Sequence, residues 1–159
     1  MIIRKAELKD AALLSETRKL QLIDEGIAPD CDIDSELDVF FKKWLVSKDF
    51  LQLIAEEDGK LLSTAAVIYY DLPPSYTNKI GVRGYVTNVY TAPQHRRKGL
   101  SKMLLSELLN DAKKRGIKKL KVLYSSEQPI KPEVDEKLIK QEQEKGSSRR
   151  QIPGSISFV

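Results

Sequence analysis

Gly84-Tyr85-Val86-Thr87-Asn88-Val89-Tyr90-Thr91-Ala92-Pro93-Gln94-His95-Arg96-Arg97-Lys98-Gly99-Leu100-Ser101 is the stretch of this chain whose reading decides its fold. A run rich in β-branched and aromatic residues ends at Pro93, which suits a strand over 85–91. A basic turn with one glycine follows, and then apolar residues recur at three- and four-residue spacing. Leu100, Met103, Leu104, Leu108 and Ala112 are expected to form the core face of a helix over 99–115, with Gly116 as its C-cap. Strand, basic glycine turn and helix in that order leave the first N–H groups of the helix unpaired, where an anion can bind.

Working outward, residues 1–5 read as a first strand. A helix from Lys9 carries Ala12, Leu13, Leu14, Leu20, Leu22 and Ile23 mostly along one side, and Gly26 and Pro29 stop it. The acidic stretch 30–35 offers an N-cap to a second helix running to about Val46, with Leu37, Phe40, Phe41, Trp44 and Leu45 on its apolar face. Residues 51–55 read as a strand and 57–60 as a hairpin turn, since Asp58-Gly59 suits positive φ. The partner strand spans 61–70, and its segment 65–70 is continuously apolar, so burial on both faces is expected. A loop at 71–75 and a polar connection lead to Gly84, and a strand over 117–124 follows the main helix. The order is β-α-α-β-β-β-α-β, a mixed α/β layer architecture.

The glycine turn resembles the acetyl-CoA-binding motif of the GNAT acyltransferases, Arg/Gln-x-x-Gly-x-Gly/Ala. Arg96, Gly99 and Ser101 occupy its defined positions, with serine where the family prefers glycine or alanine. Element order extends the resemblance over about three quarters of the chain. It implies a mixed central sheet flanked by helices, a core over 1–130, and a divergent end over 131–159. It also implies a diphosphate held by the N–H groups of Arg97, Gly99, Leu100 and Ser101, with Arg96, Arg97, Lys98 and Lys102 adding positive charge. Val89, Tyr90 and Thr91 would face the pantetheine arm, on a strand that in the family splays from its neighbour. The implied activity is direct transfer of an acetyl group to an amine of a small molecule or peptide.

Composition bounds this reading. The chain has 159 residues, 41% hydrophobic and 31% charged, which fits one ordinary soluble domain. No apolar run approaches the roughly 20 residues of a membrane span. Arg4, Lys5, Glu7, Lys9 and Asp10 interrupt any leader, so a cytoplasmic protein is expected. Cys31 and His95 are the only cysteine and the only histidine, which argues against an intrachain disulfide, the common structural zinc sites and a histidine-based triad. Both read as loop residues. The net charge of +4 is concentrated in 96–102 and 113–121. Aromatic residues are not interleaved with these charges, which argues against a nucleic-acid stacking surface.

The catalytic groups are less legible. The strand 85–91 contains no acid. Asn88 can order a water but is no base at neutral pH, and Glu57, Asp71 and Glu127 are the other candidates for reaching the amine. The family's Leu-Tyr-Glu-Lys-Leu-Gly-Phe-like run is replaced by Val134-Asp135-Glu136-Lys137-Leu138-Ile139. Asp135 stands near the tyrosine position, and no tyrosine follows Tyr124. Two alternatives therefore stay open: an acyl-CoA-binding protein of the same fold with impaired turnover, and a small basic nucleic-acid-binding domain. A helix over 131–145 and a last strand over 156–159 are expected. An unfinished sheet edge there would pair with a second copy, giving a homodimer.

Overall fold

The computed structural model describes residues 1–122. The elements are β1 (Ile2–Lys5), α1 (Ala11–Asp24), α2 (Asp34–Trp44), β2 (Phe50–Glu57), β3 (Lys60–Asp71), β4 (Val82–Thr91), α3 (Leu100–Lys114) and β5 (Leu120–Val122). They form a sheet in the order β1-β2-β3-β4-β5. The first three pairings are antiparallel, and β5 joins β4 in parallel after the α3 crossover. The expected element order is recovered throughout this part. The helix expected at 131–145, the strand at 156–159 and the candidates Glu127 and Asp135 lie outside the described residues.

Local chemistry explains the boundaries. Asp58 and Gly59 both take positive φ, as the tight β2–β3 turn requires. Gly26 and Gly116 end α1 and α3 with φ of 83° and 80°. In each case the next residue's amide returns to the helix, Ile27 to the Leu22 carbonyl and Ile117 to that of Ala112. The amide of Asp34 is met by the Asp32 carboxylate at 2.9 Å, so the acidic stretch does start α2, one residue ahead of its Ile33 N-cap.

Two cores lie on opposite faces of the sheet. On one, α3 covers Leu53, Ala65, Val67, Tyr69 and Val86. On the other, α1 and α2 cover Phe50, Ile54 and Ala66, with Phe41 fully buried between them. This confirms the two-sided burial expected for the centre of β3. Two helix faces need correction. In α1 the buried stripe is Ala11, Leu14, Thr17 and Gln21, while Leu13, Leu20 and Ile23 face outward. The polar Thr17 satisfies itself on the Leu13 carbonyl at 2.7 Å, which lets a hydroxyl sit where apolar periodicity had pointed elsewhere. In α3, Met103 is exposed and Leu109 takes its place in the core.

A bidentate ion pair ties β1 to the start of α1. Arg4 meets Asp10 through both terminal nitrogens, at 2.8 and 2.9 Å, and reaches Glu56 of β2 at 3.0 Å. The same Asp10 carboxylate accepts the Glu7 amide at 2.8 Å. Close packing at the β4–β5 step depends on Gly84, where a Cβ would stand 2.4 Å from Leu120 Cδ2.

Candidate active site

The end of β4 is bent by a bulge. Thr64 pairs with Tyr90 and Ala66 with Thr87, so two steps on β3 face three on β4. The extra residue is accommodated at Asn88, whose φ of 53° lies in the left-handed region. Asparagine tolerates that conformation better than the β-branched residues around it. Its side chain turns under the α1–α2 face, with Nδ2 at 3.4 Å from Gln52 Oε1. Gln52 in turn donates to Thr64 Oγ1 at 2.9 Å, and Thr64 to the Leu53 carbonyl at 2.7 Å. Gln52 and Thr64 were not singled out by sequence reading. An amide inside an otherwise apolar strand was the signal available for Gln52.

Beyond the bulge, Tyr90 is buried on the α1 side and Thr91 turns toward α3. Tyr90's phenol is pushed up by burial, with Asp24's charge acting in the same direction. Thr91 Oγ1 lies 2.7 Å from Ser101 Oγ and 2.8 Å from Ser63 Oγ, and Ser63 donates to the Tyr90 carbonyl at 2.9 Å. Val89 packs against the α3 core. The side chains of 89–91 are thus engaged internally, and the Tyr90 and Thr91 carbonyls accept from Ser63 and Arg96. The described pairing with β5 runs from Gly84 to Val86, so any splay of the two strands falls beyond Val122 and outside the described residues.

The turn into α3 is built from two left-handed residues. Arg97 and Gly99 have φ of 63° and 78°, with one extended residue, Arg96, ahead of them. The glycine was expected there; the arginine was not. The first helical bond runs from the Met103 amide to the Gly99 carbonyl at 3.1 Å, and no side chain caps the helix. Among the described residues the amides of Leu100, Ser101 and Lys102 therefore have no partner. A Cβ built on Gly99 meets nothing within 4 Å, so the turn opens on free space. Arg97, Lys98 and Lys102 form no ion pair among the described residues. Free amides, a helix dipole and three uncommitted cations fit an anionic phosphate.

Arg96 is placed differently from the other motif residues. Its Nε donates to the Thr91 carbonyl at 3.0 Å, and its Nη2 is bonded to the Asp24 carboxylate at the end of α1. It braces the turn. Leu100 contributes its amide only, since its side chain lies in the core. Two of the proton-acceptor candidates do not converge on this region. Glu57 sits on β2, two strands from β4, and pairs with the N-terminal ammonium at 3.2 Å. Asp71 pairs with Val82 at the opposite end of β4, six residues from the bulge, roughly 20 Å at strand rise.

Bulged strand, open glycine turn and helix α3 follow one another along the chain. The family model for the GNAT acetyltransferases matches residues 16–129. The chain belongs to the GNAT acetyltransferase family. A predicted acetyltransferase from Clostridium acetobutylicum, crystallised with acetyl-CoA, is 37% identical over 98% of this chain and 94% of its own, with a TM-score of 0.75. Two more distant structures share the fold. The aminoglycoside antibiotic 6'-N-acetyltransferase of Acinetobacter haemolyticus is 16% identical over 100% of this chain and 97% of its own, with a TM-score of 0.67. The glucosamine-6-phosphate N-acetyltransferase of Arabidopsis thaliana is 22% identical over 99% and 98%, with a TM-score of 0.61. No curated protein matches the sequence. In this GNAT chain no helix among the described residues is long and apolar enough to cross a membrane.

Proposed function

We propose that this GNAT acetyltransferase moves the acetyl group of acetyl-CoA directly onto an amine while both substrates are bound. The observation that carries this reading is the turn at Arg97–Gly99, open and uncapped, set beside the bulge of β4. The amides of Leu100, Ser101 and Lys102, with Arg97, Lys98 and Lys102, would hold the diphosphate. Main-chain groups from Asn88 to Thr91 would hold the pantetheine arm and the carbonyl oxygen, whose growing negative charge an N–H stabilises.

Acetyl-CoA supplies an acetyl group activated as a thioester. The acceptor nitrogen attacks its carbonyl carbon, the C–S bond breaks, an amide forms, and the nitrogen's proton leaves to solvent or base while the thiolate departs. On this chain's side, Asn88 and Gln52 fix the bulge that presents the amides. The acceptor lies between the α1–α2 pair and β4, on the face toward which Asn88 turns.

The test is calorimetric titration of the purified protein with acetyl-CoA, beside a Gly99→Glu variant, followed by a thiol-release screen of amines. Binding that the variant loses, with turnover of at least one amine, supports the reading. Binding without turnover across the screen supports the impaired acyl-CoA-binding alternative. No binding of acetyl-CoA, with salt-sensitive binding of DNA or RNA, would move the basic turn to the nucleic-acid reading.

A further inference from the structure

The face of β4 that looks toward α1 carries polar groups that the donor site does not use. Arg83, Tyr85 and Thr87 alternate on this face, while Gly84 and Val86 point to the α3 core. From α1, Arg18, Gln21 and Glu25 follow one another at i, i+3 and i+7 and so share a helix face. Arg18 lies within electrostatic reach of Tyr85 and Glu25, and Asp24 within reach of Tyr90. Helix and strand thus run side by side in one direction, with Gln21 near the level of the bulge and Arg18 further from it.

Three of these groups lack the partners that burial demands. Gln21 is 7% exposed, and its Oε1 is buried without a hydrogen bond among the described residues. Its Nε2 is already committed to Glu25 Oε1 at 2.9 Å. The Nε of Arg83 is likewise buried and unbonded. Arg18 is only partly accessible and makes no ion pair or hydrogen bond among the described residues. Burial pulls its pKa below the usual arginine value, and Glu25, whose charge acts on it in the opposite direction, is bonded to Gln21 rather than to it. A guanidinium that loses water without gaining an acceptor is unfavourable, and the deficit is removed when an anion docks.

We propose that the acceptor of this enzyme is an amine that also carries an anionic group, a carboxylate or a phosphate, seated on Arg18 and Arg83 against Tyr85. The inference rests on the acetyl-transfer reading above and names the substrate class of that site. The anion lies about three residues along β4 from the bulge, roughly 10 Å at strand rise. The amine end points along β4 toward the bulge, on the side of the half-buried Glu25 carboxylate, whose charge suits an ammonium or N–H donor. Arg18 is thereby a specificity-determining residue that leaves the diphosphate turn untouched.

Matched amines test this on the full chain. 6-Aminohexanoate is compared with 6-aminohexanamide, lysine with lysinamide, and 6-aminohexyl phosphate with 6-aminohexanol, each long enough to lie between the two ends. Thiol release gives kcat/KM, and calorimetry on the CoA-saturated protein gives binding whether or not turnover occurs. The expected result is at least a tenfold preference for an anionic member over its neutral partner in one pair. The carboxylate and phosphate pairs tell the two anions apart. In Arg18→Gln that preference falls to less than about threefold through acceptor KM or Kd, with the acetyl-CoA Kd unchanged. Arg18→Lys keeps part of it, and Arg83→Gln serves as a second variant should Arg18→Gln fail to fold. Neutral amines bound or acetylated as well as anionic ones would overturn the proposal, as would a preference that survives Arg18→Gln and Arg83→Gln. Loss of acetyl-CoA binding by the wild-type protein would instead overturn the acetyl-transfer reading, and the acceptor assignment with it.

Discussion

Ser101 Oγ stands 2.7 Å from Thr91 Oγ1, joining the first turn of α3 to the last residue of β4. Proton directions along this chain are fixed by its end. Ser63 donates to the Tyr90 carbonyl, so it accepts from Thr91, and Thr91 accepts from Ser101. The serine that replaces the family's small residue therefore turns its hydroxyl inward. Ser101→Ala is expected to cost less than about 1 kcal/mol, because one outer link is lost and no buried donor is orphaned. Ser63→Ala removes the side-chain donor to the buried Tyr90 carbonyl and the acceptor of the Thr91 hydroxyl, which keeps only Ser101, and is expected to cost about 2 kcal/mol. Urea melts of the two variants compare them. Equal losses would contradict the assigned order of donors.

Gly99 combines a left-handed backbone with an open face. Gly99→Ala carries only the conformational penalty, about 1 kcal/mol, and should retain most acetyl-CoA affinity. Gly99→Glu adds a negative charge at the helix N-terminus proposed to hold the diphosphate, so affinity is expected to fall more than about a hundredfold. Calorimetry alongside thermal melts separates the two effects. Parallel loss of affinity in both variants would mean that backbone shape, not charge, governs the site.

Asn88 is held at a φ of 53° inside a strand. Asn88→Gly relaxes the backbone but removes the amide that meets Gln52, while Asn88→Ala removes the amide and adds left-handed strain. Asn88→Ala is expected to lose about 1–2 kcal/mol of stability, and Asn88→Gly markedly less. Both should reduce kcat more than they raise the acetyl-CoA KM, since the proposed site puts the bulge at the reacting end and the diphosphate at the glycine turn. A change confined to acetyl-CoA KM would remove the bulge from the chemistry.

Acid stability is expected to centre on Asp10. Hydrogen bonds from Arg4 hold its carboxyl below the usual carboxylate range, with the Glu7 amide helping and burial opposing. A depressed carboxylate stabilises the fold fully above its unfolded pKa of about 3.9, and the contribution disappears as pH falls through the lower, folded value. Stability should therefore decline from about pH 5 downward. Asp10→Asn should cost about 2–4 kcal/mol near neutrality, by stranding Arg4 against Glu56 alone, and should flatten that acid limb. Urea melts at several pH values provide the check. An unchanged slope in the variant would assign the acid loss to other carboxylates.

Much of this arrangement was legible in the residues. The Asp58-Gly59 turn, the Gly26 and Gly116 caps and the apolar centre of β3 each have a local physical cause, so their positions could be read directly. The glycine turn was legible too, because the backbone there needs a residue without a Cβ. What escaped was tertiary. Apolar spacing pointed α1 toward Leu13, Leu20 and Ile23, yet the sheet accepts the face carrying Leu14, Thr17 and Gln21, where Thr17 bonds back to the Leu13 carbonyl and Gln21 reaches Glu25 just past the helix end. Arg96 looked like one cation among several until Asp24, 72 residues earlier, was seen to hold it. The bulge left no trace beyond a single asparagine, since an extra residue in a strand changes register and not composition.

The bond between Arg96 and Asp24 has a consequence for how the two substrates sense each other. Asp24 closes the helix that bears Arg18 and Gln21, and Arg96 opens the turn that leads to Gly99. A shift of α1 that improves the proposed acceptor seat is expected to reach the proposed donor turn through that charged link, and the reverse would hold with equal strength, because thermodynamic linkage is reciprocal. The enzyme is therefore expected to bind its second substrate with an affinity that depends on the first, by the same factor in either order. Asp24→Asn, on an exposed pair with little influence on folding, should bring that factor toward one.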